Sequence, residues 1–182
     1  MTDAEIVRRL AEAYLFAAER HARQRRKGDA GEPYINHLAE VAALVAEATA
    51  GRDPDLVIGA VLHDTVEDTE TSHDELVRRF GQDVADLVAE VTDDKSLPQA
   101  ERKRLQVEHA PSRTPRAKVL KLADKTSNLR ALAHSPPADW SVERRRDYIT
   151  WGRDVVAGLR GASPELETKF DQAAAAAEAA CR

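Results

Sequence analysis

Leu56-Val57-Ile58-Gly59-Ala60-Val61-Leu62 runs without a polar interruption and ends in His63-Asp64. Asp53 before Pro54 is a good N-cap and first-turn pair, so the run reads as a helix. A helix apolar on nearly every side has to be surrounded by others, which makes it central. The two titratable groups that end it are then carried deep into the fold, where they need compensation.

The rest of the chain supplies helices to surround it. Thr2 with Glu5 reads as a capping box, and Ile6, Leu10, Ala13, Tyr14 and Ala17 recur at helical spacing to about His21. A basic run, Arg23, Arg25, Arg26 and Lys27, leads into the loop Gly28-Asp29-Ala30-Gly31-Glu32-Pro33. A second helix carries Leu38, Val41, Leu44, Val45 and Ala48 on one face. Ser72 with Glu75 caps another that stops at Gly81, and Val84, Leu87, Val88 and Val91 continue as the next. A charged helix over roughly Glu101 to Glu108 precedes one capped by Thr114-Pro115, with Asp124 in its middle. Val142 to Leu159 and an alanine-rich helix opened by Ser163-Pro164 complete the set. The alanine run reads either as a helix contact or as a terminal helix that frays.

Aromatic residues make up 4% of the chain, and no segment has the β-branched and aromatic pattern of a strand. The expected fold is all-α, a compact multi-helix domain over residues 1–182, a length that suits a single core. A net charge of −5 argues against a general nucleic-acid binder, while leaving room for a local cluster that takes a small anion. The lone cysteine, Cys181, excludes an internal disulfide or a cysteine metal site. Neither a leader at the amino terminus nor a membrane-length apolar run is visible, so a cytoplasmic protein without a membrane partner is expected.

His63-Asp64-Thr65-Val66-Glu67-Asp68 packs four proton-accepting side chains where the core should be apolar. A divalent cation satisfies an imidazole nitrogen and carboxylate oxygens together. If the helix continues another turn, Glu67 and Asp68 fall below His63 and Asp64 on the same side, beside the metal and not necessarily on it. The plainer reading is a capped helix end with solvated acids. Two further features weigh against it: His37 opens a helix after a Pro-Tyr loop, and Asp124 interrupts an apolar helical face. His, His-Asp and Asp in that order, each on its own helix, is the signature of the HD-domain metal phosphohydrolases.

The similarity goes further. Arg26-Lys27, the run from Gly31 to His37, the run from His63 to Asp68, Val91-Thr92-Asp93-Asp94-Lys95, Glu101 to Gln106 and Lys121-Leu122-Ala123-Asp124-Lys125 resemble the small alarmone hydrolases. These are free-standing relatives of the hydrolase domain of RelA/SpoT homologues, and the resemblance covers about residues 4–160. It implies a manganese-dependent enzyme that removes the 3′-diphosphate from ppGpp or pppGpp and releases pyrophosphate with GDP or GTP. By position, it makes His37, His63, Asp64 and Asp124 the ligands of one ion. Glu67 and Asp68 match the acids that activate water and transfer protons, and Arg26, Lys27 and Asn128 match substrate contacts. Arg144 and Tyr148 match the nucleotide side.

The residues are consistent with that chemistry. Two imidazoles and two carboxylates suit manganese or iron, and a bound cation acidifies water and removes the need for a protein nucleophile. Glu67 or Asp68 then orients the water or takes its proton. A diphosphate needs cations opposite the metal, which favours a role for Arg26 and Lys27 over a merely solvated helix end. Arg102, Lys103, Arg104, Arg145 and Arg146 read as surface charge, and His21, His73, His109 and His134 as structural or exposed. Asp29-Ala30 enlarges the loop before Gly31, and Gln99 stands where some relatives carry lysine. Other nucleotides, such as NADPH at its 2′-phosphate or a deoxynucleotide, remain alternatives, as does a catalytically silent nucleotide-binding regulator. Oligomeric state is not legible.

Overall fold

The computed structural model describes residues 1–181, in which there are α-helices and no β-strand. The chain falls into two compact units, one of residues 1–24 with 33–94 and one of residues 25–32 with 95–182.

The first unit contains α1 (Asp3–Arg20), α2 (Ile35–Ala48), α3 (Pro54–Leu62), α4 (Thr65–Asp68), α5 (His73–Phe80) and α6 (Gln82–Val91). The expected capping box starts α1: Glu5 N–H donates to Thr2 Oγ1, and Thr2 N–H donates to the Glu5 carboxylate at 2.7 Å. Asp53 caps α3 through Leu56 N–H at 3.0 Å. Every residue from Leu56 to Leu62 is buried, as an all-apolar helix demands. Helices α1, α2 and α6 pack against it. Gly59 lets α6 come close, because a Cβ there would meet Leu87 Cδ2 at 2.7 Å. Each Leu or Ile buried in this way contributes about 1.5–3 kcal/mol of transfer free energy. Arg9 ties α1 to the start of α3 through Asp55, 2.6 Å away, and to the Phe80 carbonyl at the end of α5.

The second unit contains α7 (Gln99–His109), a 3₁₀ turn (Ala110–Ser112), α8 (Pro115–His134), α9 (Val142–Ala157) and α10 (Pro164–Ala179). Thr114 caps α8, with Pro115 in the first turn. Of the two readings of the alanine-rich tail, contact is the one observed: Leu166, Phe170, Ala173, Ala174 and Ala177 are buried, and α10 packs extensively on α8. The loop of residues 25–32 docks on the end of α8. Ala30 N–H donates to Ser135 Oγ at 2.9 Å, Asp29 N–H to the Pro136 carbonyl, and Gly28 has no room for a Cβ against Ser135. Gly31 closes this loop at φ +57°, a conformation glycine adopts without strain.

Candidate metal centre

In the first unit, α3 ends at Leu62, and His63-Asp64 form an αR turn leading directly into α4. The backbone thus makes the further turn considered above, and Asp68 N–H donates to the Asp64 carbonyl at 2.9 Å. His63 Nδ1 lies 2.8 Å from the Ala60 carbonyl. A carbonyl can only accept, so Nδ1 carries the proton and a neutral His63 keeps its lone pair on Nε2. That nitrogen lies 3.1 Å from Asp64 Oδ2, and His37 Nε2 lies 3.6 Å from the same oxygen. The two imidazole rings meet edge-on with centroids 5.2 Å apart.

Nitrogen lone pairs and a carboxylate oxygen at these distances call for a shared positive species, a proton or a metal ion. Without a metal, burial pushes the Asp64 carboxyl up, but the charge of His63 and hydrogen bonds from His37 and His63 outweigh it and hold the group well below the usual carboxylate range. Tyr34 adds a hydroxyl that donates to Asp64 Oδ2 at 2.6 Å.

The acids on α4 are also held. Glu67 accepts from Asp93 N–H at 3.1 Å, and Asp68 Oδ2 accepts from the Gln24 amide at 2.8 Å. Burial raises the Glu67 carboxyl above its ordinary range; the Asp93 N–H opposes this, and the negative charges of Asp64, Asp93 and Asp68 add to it.

In the second unit, Asp124 is buried at the middle of α8. Its Oδ1 accepts from Asn128 Nδ2 at 2.6 Å, one turn on, and its Oδ2 lies 3.1 Å from Lys125 Nζ. Arg26 donates to Asn128 Oδ1 at 3.2 Å, so two of the expected substrate contacts touch each other. Lys27 is exposed. Tyr148 stands between Trp140 and Trp151, with centroid distances of 5.4 and 5.2 Å. The Arg144 guanidinium lies 4.5 Å over Trp140, and Lys125 Nζ 4.6 Å over Trp151. Lys103, which also faces Trp151, has its ammonium pushed down by burial and by the nearby positive charge of Arg144.

Sequence reasoning gave no role to Tyr34, Gln24, Lys125, Trp140 or Trp151. Tyr34 precedes His37 by three residues, a spacing that shares a helical face. Lys125 is a charged residue in a buried helix, which is rare without a partner. His21, read as structural or exposed, is buried; His109 and His134 are exposed, and His73 lies 2.8 Å from Asp86.

The residues present have donors for a metal ion: the first unit buries the imidazoles of His37 and His63, and the second buries the carboxylate of Asp124. Helices alone, with His on α2, His-Asp in the turn after α3 and Asp on α8, follow the chain order of an HD-domain protein, and a family model described as HD domain matches residues 13–149. The chain is 50% identical over 162 residues to guanosine-3′,5′-bis(diphosphate) 3′-pyrophosphohydrolase MESH1 of Xenopus tropicalis, covering 89% of this chain and 90% of that protein. It is 51% identical over 158 residues to the protein of the same name from Homo sapiens, covering 87% and 88%. A solved structure described as a metazoan ortholog of SpoT that hydrolyzes ppGpp matches with a TM-score of 0.88 at 44% identity, over 91% of this chain and 93% of that one. The chain therefore belongs to the HD-domain family and, within it, to the MESH1 group of free-standing SpoT relatives. Among the described residues, no helix is long and apolar enough to cross a membrane.

Proposed function

We propose that the protein is a manganese-dependent 3′-pyrophosphohydrolase of ppGpp and pppGpp, working in the cytoplasm as one HD-type domain over residues 1–182. The observation that carries the substrate is half-identity, over about nine-tenths of both chains, to proteins bearing that activity in their name. The chemistry rests on the donor set: His37, His63, Asp64 and Asp124 are the ligands of one ion. When bound, a divalent ion supplies a Lewis acid for a phosphoryl oxygen and acidifies water.

The chain's own residues do the rest. Water attacks the phosphorus bonded to the ribose 3′ oxygen, the P–O3′ bond breaks, and pyrophosphate leaves with GDP or GTP as the other product. Two protons move, one off the water and one onto the 3′ oxygen, and Glu67 and Asp68 are the groups that handle them. Arg26, Lys27 and Asn128 hold the 3′-diphosphate, while Arg144 and Tyr148 hold the nucleoside side.

Incubation with ppGpp and manganese, followed by chromatography and separate detection of pyrophosphate, tests the reading. Stoichiometric pyrophosphate and GDP are expected. Orthophosphate release, or faster turnover of NADPH or a deoxynucleotide, overturns the alarmone assignment.

A further inference from the structure

The acids of α4 are served by a part of the first unit that the proposed reaction leaves without a task. Gln24, just beyond α1, donates from Nε2 to Asp68 Oδ2 at 2.8 Å, and its Oε1 lies 2.6 Å from His21 Nδ1. We propose that His21 and Gln24 are positioning residues for Asp68, fixing its carboxylate as the group that receives the proton of the attacking water. The inference takes the role of Asp68 from the hydrolase reading and the placement from geometry.

The polarity of the chain follows from its members. An amide oxygen only accepts, so His21 Nδ1 carries the proton and donates it to Gln24 Oε1. The amide then turns its N–H toward Asp68. The flipped amide would set its oxygen against a carboxylate oxygen and its own N–H against the ring N–H, so a protonated Nδ1 locks one orientation. His21 cannot swing away. It is buried, its ring stacks on Tyr34 with centroids 5.1 Å apart and an interplanar angle of 26°, and its carbonyl accepts from Gln24 N–H at 2.9 Å. Tyr34 N–H in turn donates to the Gln24 carbonyl at 3.1 Å.

His21 Nε2 is buried with no hydrogen-bond partner among the described residues. Burying a polar atom unsatisfied is costly, and an apolar ring would stack on Tyr34 as well without that cost. The contact that only histidine provides here is the one to Gln24. Tyr34, the other half of the stack, donates to Asp64 Oδ2. One ring pair thus supports both Asp64 and Asp68, which lie one helical turn apart.

A double-mutant cycle separates positioning from a structural role. Gln24→Leu is expected to lower kcat for ppGpp with manganese by about 10- to 100-fold, the range for outer-shell support of a site, with KM and bound manganese within about twofold of the unmodified protein. In an Asp68→Asn background the same change is expected to cost less than about threefold, because Gln24 acts through Asp68. His21→Phe, which keeps the stack, should match Gln24→Leu, and His21→Asn, whose amide nitrogen replaces Nδ1, should recover most of the loss. ¹⁵N NMR of the unliganded protein should show His21 with its proton on Nδ1. Equal costs in both backgrounds, or a proton on Nε2, overturns the proposal. Absence of ppGpp turnover by the unmodified protein overturns the hydrolase reading instead, and the tautomer, read without substrate, still decides the pair.

Discussion

Tyr34 donates its hydroxyl to Asp64 Oδ2 at 2.6 Å, the same oxygen that faces His63 Nε2 and His37 Nε2. One carboxylate oxygen therefore meets a phenol and two imidazoles, and the phenol is the one partner outside the proposed ligand set. Its contribution is to aim the carboxylate. Tyr34→Phe keeps the ring against His21 and His37 and removes only that hydrogen bond. Manganese affinity should fall by about 10- to 100-fold, with turnover recovering at saturating metal. Titration calorimetry on chelator-treated protein checks this, and unchanged affinity would show that the hydroxyl does not support the ligand.

Metal binding should also be visible as stability. A ligand that binds only the folded chain raises its stability by RT ln(1 + [L]/Kd), about 2.7 kcal/mol at a hundredfold excess over Kd. Adding manganese to chelated protein should raise Tm by several degrees, and His63→Ala should abolish the rise. An equal rise in that variant would place the ion elsewhere.

The proposed proton-handling role of Glu67 carries a cost in stability. Its carboxyl is raised by burial, with neighbouring carboxylates adding to the effect, above an ordinary value of 4.5. An acid whose folded pKa exceeds its unfolded pKa binds more protons in the folded state. It therefore costs stability as pH rises through that interval, and the cost is complete above the folded pKa. Glu67→Gln should lower kcat by about a hundredfold or more yet raise the Tm of the metal-free protein at pH 7–8, with the gain fading as pH falls toward 4.5. Scanning calorimetry at several pH values distinguishes this from a variant that simply loses packing.

The sequence made the acids of this region visible because each breaks a local rule: His63-Asp64 ends an apolar helix, and Asp124 interrupts an apolar face. Helix starts were equally legible where Thr2, Asp53, Thr114 and Ser163 supply caps, since a cap acts within three residues. What stayed hidden lies far apart in the chain. Gln24 and Asp68 are 44 residues apart, and Ser135 meets Ala30 across 105. Glycine and proline marked residues 28–33 as a loop, but nothing local says on which helix end it docks. The burial of Ala173, Ala174 and Ala177 was undecided for the same reason, because alanine favours a helix equally with or without a neighbour.

Gly158 at the end of α9 marks a close approach. A Cβ there would lie 2.8 Å from both Ala110 Cβ and Pro111 Cδ. Unlike the Leu87 side chain opposite Gly59, a proline ring on a 3₁₀ turn has little freedom to move aside. Gly158→Ala should destabilise by about 1–3 kcal/mol, the usual scale of overpacking, and by more than Gly59→Ala, where added helix propensity of about 1 kcal/mol offsets part of the strain. Urea unfolding of the two variants compares them, and the reverse order would refute the argument from rigidity.

Besides its proposed role as a ligand, Asp124 has a charge partner on its own helix. Its Oδ2 lies 3.1 Å from the ammonium of Lys125, which is buried and rests 4.6 Å over Trp151. Asp124→Asn keeps a side chain of the same size and an oxygen that can accept from Asn128, but it removes the charge that both a metal ion and Lys125 require. Manganese binding and ppGpp turnover should be lost. Stability should fall as well, by about 1.5–3 kcal/mol, the scale of a hydrogen bond to a charged group, with Trp151 retaining part of the stabilisation of the ammonium. Adding Lys125→Met should return much of the stability, because an apolar chain of similar length needs no counter-charge, while turnover stays absent. Urea unfolding and metal analysis of the single and double variants separate the two tasks. Full turnover by Asp124→Asn would remove this residue from the proposed ligand set, and a stability loss that Lys125→Met fails to relieve would show that the pair is not what Asp124 contributes to the fold.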